Sequence, residues 1–361
     1  MEPMSEQKHV YIALSGGVDS AVAAVRLLDE GFKVTGIFMG TWQDPQAMVS
    51  GKNSTEPAAM AEEAAKSIGI HFVSLDVREQ FFQTVVEPFI RQYLIGKTPN
   101  PCLFCNPQVK WGLLQNYAFD QGADYFATGH YARVIHSDNS PTLLLRGLDC
   151  SKDQSYVLAL LTQSQLSRTL LPLGAIKKTD VRAQAKLLNL PVADRQESQD
   201  LCFLGAVDYR DFLQRYAPQS ATPGQIVNLE GDVLGEHQGL AFYTIGQRRG
   251  IRIAASEPYF VIGKEPQHNR LIVGFAHQAG KSSLKAVEPN WIMGEPPAKG
   301  DRYEIMIRYR TVPVEAVLTD ASMTEFRLEF NQPIRGVTPG QVAVLFQGET
   351  CLGGGTIHNA G

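Results

Sequence analysis

Cysteine is scarce in this chain: five stand among 361 residues, an odd number at low density. A secreted disulfide framework needs more of them, in pairs, so individual thiols are left free for metal or redox work and their spacing matters more than their count. An excess of positive charge is missing as well. The formal net charge of -4 gives no bulk attraction to nucleic acid, so an RNA partner must be met by locally concentrated lysines and arginines. No apolar run approaches the roughly 20 residues of a membrane span. The opening "MEPMSEQKHV" carries two glutamates and no apolar stretch before the first candidate strand, which fits neither a secretory signal nor a transit peptide. A cytosolic protein with no membrane partner is expected. Internal repeats, low-complexity tracts and fibrous composition are absent too, and 361 residues are enough for two or three domains with real cores.

What is present begins with an alternation of apolar β-type runs and helical patterns. "HVYIALS", "FKVTGIFMG" and "IHFVSLDV" are separated by "VDSAVAAVRLLDEG" and "TEPAAMAEEAAKSIG", and "REQFFQTVVEPFIRQYL" follows. This is the signature of βα units on a mostly parallel sheet, an α/β, Rossmann-like arrangement. In the first helix Val18, Ala21, Val22, Val25 and Leu28 recur at helical spacing, and Gly31 supplies a stop. A second unit runs from "NPQVKWGLLQNYAFDQGA" to the strand-like "DYFATGHYARV", with further helical patterns in "DQSYVLALL" and "KTDVRAQAKLLNL". After about Pro218 the chain turns to short β-like runs: hairpins in "NLEGDVLG" and "YFVIGKEPQHNRLIVG", then "RYEIMIRYRTVPVEAVLTD" and "EFRLEFNQPIRGVTPGQVAVLFQGE". A joint near "AHQAGKSSL" leaves three expected domains: 1–208 nucleotide-binding and catalytic, 209–280 small and β-rich, and 281–361 a C-terminal β-barrel.

"ALSGGVDS" lies between the first strand and the first helix. Ser15, Gly16 and Gly17 permit a tight turn that aims backbone N–H groups and the helix N-terminus at an anion. The lysine and spacing of a Walker loop are absent, so kinase or GTPase chemistry is not expected. The order resembles the pyrophosphate (PP) loop, S-G-G-x-D-S, of enzymes that split ATP between the α- and β-phosphates. The bland reading is a strand-to-helix turn capped by Ser15 or Asp19. Beside phosphates, Asp19 suits a magnesium ligand or a water-mediated contact.

Cys102 and Cys105 in "TPNPCLFCN" and Cys202 in "ESQDLCFL" are the cysteines placed for chemistry. The first pair is read as a proline-rich loop ahead of a helix, whose N-terminus would lower a thiol pKa and make a nucleophile. Cys150 and Cys351 are read as ordinary small apolar residues.

With these residues in view, the chain resembles the bacterial tRNA-specific 2-thiouridylases along nearly its whole length. The motifs that carry the resemblance are "ALSGGVDS", "GIFM", "TPNPCLFCN", "ATGHYAR", "KDQSYVL", "ESQDLCF", "IGQRRG", "IRYR" and "TPGQ", in family order. The resemblance implies ATP-dependent sulfur insertion at the 2-position of the wobble uridine of tRNA. The uridine 2-oxygen would be adenylated, a persulfide sulfur delivered, and AMP released. It assigns Cys105 as nucleophile and Cys202 as persulfide carrier, supplied by a sulfur-donor protein. ATP, with Mg2+, would meet Ala13, Leu14, Ser15, Gly16, Gly17, Val18, Asp19, Ser20, Met39 and Gly129. Asn100, Pro101 and Cys102 would meet the target base, taken out of its stack. His130, Lys152, Asp153, Gln154, Arg308, Tyr309 and Gln341 would contact tRNA; without the resemblance each reads as a solvated surface group. The family commonly has aspartate where this chain has Cys102. A free carboxyl and a free thiol titrate roughly four units apart, so the exchange is not chemically neutral.

Two mechanisms are open at this stage. In one, Cys202 takes a persulfide, Cys105 completes the transfer, and a disulfide forms between them. In the other, Cys102, Cys105 and Cys202 hold three irons of a [4Fe–4S] centre. Another PP-loop tRNA-modifying ligase, or a nucleotide- or RNA-binding module without chemistry, are the competing functions. Arg248, Arg249 and Arg252 in "GQRRGIR" form a phosphate-facing patch or an ordinary basic turn. His130 has no partner at ligand spacing, so zinc is not expected.

Overall fold

Strand β1 (His9–Ala13) is apolar from Val10 onward, and Val10 and Ile12 are wholly buried, as a strand covered on both faces requires. The computed structural model describes residues 7–45, 56–195, 201–205 and 207–361. These group into two compact units: residues 1–84, 102–206 and 349–351 form the first, and 85–101, 207–348 and 352–361 the second.

In the first unit, β1 pairs in parallel with β2 (Lys33–Gly40), which pairs in parallel with β3 (His71–Asp76). On its other side β1 pairs with β4 (Tyr125–Ala127). Helix α1 (Val18–Asp29) follows β1, and its buried face is Val18, Ala21, Val22 and Leu27, widened by Ala23 and Ala24. Val25 and Leu28 are half-buried on its flank. Gly31, at φ +86°, ends the helix in a conformation that costs glycine little. Helix α2 (Glu56–Ile68) connects β2 to β3.

The single strand expected through "DYFATGHYARV" is two. β4 stays in the parallel sheet, whereas β5 (Ala132–Ile135) forms an antiparallel hairpin with β6 (Leu143–Arg146). Between them the backbone crosses the start of α1, and Gly129 passes so close that a Cβ there would lie 2.9 Å from Asp19 C and Ser20 N. Segment Glu349–Cys351 completes this hairpin: Thr350 and Cys351 pair with Leu145 and Leu144, Arg146 N–H donates to the Glu349 carbonyl at 2.8 Å, and Arg133 bridges the Glu349 carboxylate at 2.8 Å. Strand β7 (Thr169–Leu170) closes the parallel sheet, whose order is β3-β2-β1-β4-β7.

In the second unit, β8 (Gly224–Val227) and β9 (Val233–His237) form one hairpin, and β10 (Phe260–Glu265) and β11 (Arg270–Gly274) another. They join through a parallel β11–β8 pair. Strands β12 (Gly280–Trp291), β13 (Arg302–Met306), β14 (Val314–Ala321), β15 (Glu325–Arg335), β16 (Val342–Gln347) and β17 (Thr350–Ala360) follow. They pair in the order β12-β15-β14-β13-β16-β17, and a β12–β17 pairing closes them into a six-stranded barrel. Its sequence logic is period two: in "EFRLEF" Phe326, Leu328 and Phe330 enter the barrel core while Arg327 and Glu329 face water. No helix among the described residues is long and apolar enough to cross a membrane.

Candidate functional site

In the sheet order β3-β2-β1-β4-β7 the direction of winding reverses between β1 and β4, and open α/β sheets seat ligands outside the carboxyl ends of strands at such a point. Residues 13–20 leave β1 there, and Gly129 and His130 leave β4 beside them. Gly16 takes φ +69° and Gly17 is extended at the start of α1 with no side-chain cap, so the first N–H groups of the helix are not satisfied by a capping oxygen. The loop is tied from within. Ser20 Oγ donates to the Gly17 carbonyl at 3.0 Å, accepts from Ser15 N–H at 3.2 Å and lies 3.3 Å from Ser15 Oγ, although Ser15 itself is exposed. Met39, half-buried near the carboxyl end of β2, flanks the same edge.

Three side chains unremarked in the sequence hold this loop. Lys178 Nζ reaches both Asp19 oxygens, at 2.6 and 2.7 Å, and Tyr131 OH donates to Asp19 Oδ1 at 2.7 Å. Arg195 donates to the Gly16 carbonyl. Asp19 is thus engaged by a lysine and a phenol, with its side chain still 33% exposed. One sequence signal does exist for Lys178: it is the first residue of helix Lys178–Leu187, the end at which a cation opposes the helix dipole.

The cysteines are not ahead of a helix but inside one. Helix Pro101–Cys105 runs directly into a π-helical stretch, Asn106–Leu114, marked by Gln115 N–H donating to the Lys110 carbonyl five residues back. Pro107 has no N–H to give to the carbonyl four residues before it, and its own carbonyl is taken by Gln165 Nε2 at 2.8 Å. Asn106 Nδ2 donates to Val157 O at 2.7 Å, and Trp111 Nε1 donates to Thr169 Oγ1 at 2.7 Å. These buried bonds fix the wide turn.

The expected lowering of thiol pKa is overturned. Burial pushes Cys105 up to about 11 and Cys202 up to about 12, and raises Cys102 too. Cys105 lies at the junction of two helical stretches, so no helix N-terminus faces it. All three are free thiols; Cys102 and Cys202 reach solvent while Cys105 is buried. Cys202 is close enough to feel both Cys105 and Cys102, and Lys110 is the cation that opposes the rise at each of the three. The fold thus brings together the three sulfurs singled out in the sequence. The turn carrying Cys202 is anchored by buried Phe203, whose carbonyl accepts from Asp44 N–H at 3.1 Å. No group of three His, Cys, Asp or Glu among the described residues is placed to hold a metal ion.

The expected tRNA-contacting residues are less solvated than the sequence implied. In the first unit His130 is held neutral by burial, with Lys110 adding to the effect, and its Nδ1 lies 2.7 Å from Thr128 Oγ1. Asp153 Oδ1 accepts from Gly147 N–H at 2.9 Å, Gln154 Oε1 accepts from Tyr131 N–H at 2.9 Å, and Lys152 is half-buried. In the second unit Gln341 is buried and donates to Thr98 O at 2.7 Å, Arg308 donates to Ile245 O at 3.0 Å and to Thr338 Oγ1 at 2.6 Å, and Arg310 sits over the Tyr309 ring at 5.2 Å. Asn100 is half-buried and Pro101 buried. Arg248, Arg249 and Arg252 are all exposed.

Comparison with known proteins agrees with this geometry. A family model described as "tRNA methyl transferase HUP domain" matches residues 8–206, "tRNA methyl transferase PRC-barrel domain" matches 210–275, and "Aminomethyltransferase beta-barrel domain" matches 281–357. The tRNA-specific 2-thiouridylase MnmA of Carboxydothermus hydrogenoformans is 41% identical over 358 residues, covering 98% of both chains. That of Natranaerobius thermophilus is 42% identical over 364 residues, covering 99% of both, and that of Moorella thermoacetica 42% over 353 residues, covering 96% of this chain and 99% of the relative. With the uncapped loop at the switch point and the three thiols in one unit, the chain belongs to the tRNA-specific 2-thiouridylase family.

Proposed function

We propose that this chain uses ATP to replace the 2-oxygen of the wobble uridine of tRNA with sulfur. The observation that carries the reading is the gathering of Cys102, Cys105 and Cys202 within the unit that also holds the Ser15–Gly16–Gly17 loop. Residues 13–20, with Met39 and Gly129, hold the nucleotide, and the uncapped N–H groups of α1 face its phosphates. The uridine 2-oxygen attacks the α-phosphorus and pyrophosphate leaves. Cys202, charged with an outer sulfur by a persulfide-donor protein, attacks C2 through that sulfur, and AMP departs with the oxygen. Cys105 then attacks the Cys202 sulfur, which frees 2-thiouridine and joins Cys105 to Cys202. Two electrons from a dithiol reductant return both thiols.

Mg2+ accompanies ATP as the counter-ion of its phosphates. The [4Fe–4S] route is not favoured, because no group of three His, Cys, Asp or Glu among the described residues is placed to hold a metal ion. Asn100, Pro101 and Cys102 meet the base, and His130, Lys152, Asp153, Gln154, Arg308, Tyr309 and Gln341 meet the tRNA. The proposal divides the chain into a catalytic domain (1–208), an RNA-holding middle domain (209–280) and a C-terminal barrel (281–361), acting in the cytoplasm.

The test is reconstitution with ATP, a tRNA substrate, a persulfide donor and a dithiol, read by nucleoside mass spectrometry and AMP release. Wild-type chain should yield 2-thiouridine, while Cys105→Ser and Cys202→Ser should not. Undiminished product from Cys202→Ser would end the persulfide reading.

A further inference from the structure

The three thiols carry a difficulty that the proposed chemistry must solve. Thiolates and persulfide anions are the reactive forms, yet burial disfavours charge at all three sulfurs. The charged or titratable groups facing them among the described residues are the thiols themselves and Lys110, and His130, which also faces Lys110, is held neutral. Glu197 and Asp200 lie outside the described residues.

Lys110 reaches this position through the shape of its helix. In an α-helix five residues make about 1.4 turns, so a side chain five positions after Cys105 points away from it. In the π-helical stretch Asn106–Leu114 the backbone bonds span five residues, so position 110 follows Cys105 by about one turn and falls on the same side of the helix. Cys102, three residues before Cys105, shares its α-helical face. The wide turn is pinned by Asn106, Trp111, Gln115 and the Pro107 carbonyl, each bonded to residues 157–169. π-helical insertions are rare and concentrate at functional sites. Here the insertion has a specific effect: it puts position 110, a lysine whose charge is felt at all three sulfurs, on the side of the helix that carries Cys105.

We propose that Lys110 is the counter-charge of the sulfur site, a positioning residue whose field stabilises the thiolate of Cys105 and the sulfur anion carried by Cys202. The equilibrium it governs is plain: S–H loses its proton to solvent and the electron pair stays on sulfur, next to the lysine cation. This rests on the thiolation reading for its purpose but not for its test.

The test is residue-resolved alkylation of the full-length chain with iodoacetamide, without ATP or tRNA, followed by peptide mass spectrometry between about pH 7 and 9.5. In this range the rate at each thiol of raised pKa climbs about tenfold per pH unit, and the ratio between variants reads the pKa difference directly. Lys110→Met should slow alkylation of Cys105 and Cys202 roughly tenfold at every pH, corresponding to about one pKa unit. Lys110→Arg should stay within about threefold of wild type. Cys150, outside the cluster, serves as the internal reference. Lys110→Gln replaces Lys110→Met if the latter does not fold. Unchanged rates in the uncharged variant would overturn the proposal, and so would an equal loss in Lys110→Arg, since packing rather than charge would then be responsible. A chain without thiolation activity that still has the Lys110-dependent rates would sink the thiolation reading and leave this one standing.

Discussion

Asp19 and Lys178 are unequally placed, and the inequality predicts an asymmetric response to breaking their pair. The Lys178 side chain keeps 8% of its exposure and that of Asp19 keeps 33%. Replacing Asp19 with Asn takes the carboxylate away from an ammonium that is buried beside the Tyr131 ring, 5.6 Å from its centroid. Removing one partner of a buried ion pair costs about 3–5 kcal/mol. Replacing Lys178 with Met instead leaves a carboxylate that still accepts from Tyr131 OH and is reached by water, so about 1–2 kcal/mol is expected. Asp19→Asn should therefore destabilise by roughly 2 kcal/mol more than Lys178→Met, and the double variant should fall well short of the sum of the single losses. Urea unfolding followed by tryptophan fluorescence reads this in a Trp291→Phe background, where the remaining Trp42 and Trp111 both lie in the first unit. Equal losses, or a coupling below about 0.5 kcal/mol, would refute the reasoning that the lysine is the dependent partner.

Gly129→Ala should raise the dissociation constant for ATP at least tenfold, about 1.4 kcal/mol, because its Cβ would sit 2.9 Å from the Asp19–Ser20 peptide and push the loop from its seat. Calorimetric titration with ATP measures it, and wild-type affinity would mean the loop yields freely. The raised thiols set a pH window. Cys105 and Cys202 move from 9.0 to about 11 and about 12, so the folded chain holds more protons than the unfolded one above pH 9. Their contribution to stability is complete below that pH and is lost as pH climbs toward the folded values. Replacing both with Ala should flatten the alkaline arm of the stability profile, measured as urea midpoints from pH 8 to 10.5. Changing Arg248, Arg249 and Arg252 to Gln should weaken tRNA binding and reduce the slope of log affinity against log salt by about 0.7–0.9 for each phosphate no longer neutralised; an unchanged slope would assign these arginines to an ordinary basic turn.

The strand–turn–helix at residues 13–20 was legible because its information is local: "ALSGGVDS" follows an apolar strand, and its turn depends on two adjacent glycines. The barrel strands were legible for the same reason, as in the alternation of "EFRLEF". What the sequence hid lies in contacts between distant residues. Lys178 meets Asp19 across 159 positions and Arg195 meets Gly16 across 179, and nothing in either neighbourhood marks the partner. The π-helical winding was hidden because hydrophobic pattern is read at 3.6 residues per turn, which would put Lys110 on the wrong face. The thiol chemistry was misread in sign. A helix N-terminus was expected to dominate, whereas Cys105 is buried within the helical run and desolvation wins.

The return of Glu349–Cys351 to the edge of β6 means that the first unit is not one continuous segment of the chain. A ribosome that has released residues 1–206 has made the parallel sheet and Cys102, Cys105 and Cys202, yet β6 still has an unpaired edge, and Arg133 and the Arg146 amide still lack Glu349. That edge is filled only after residues 207–348, with five of the six barrel strands, have also been made. Completion of the sulfur-bearing unit is thereby timed to synthesis of the barrel, and a fragment cut before residue 349 should leave a sticky strand where the longer chain has none.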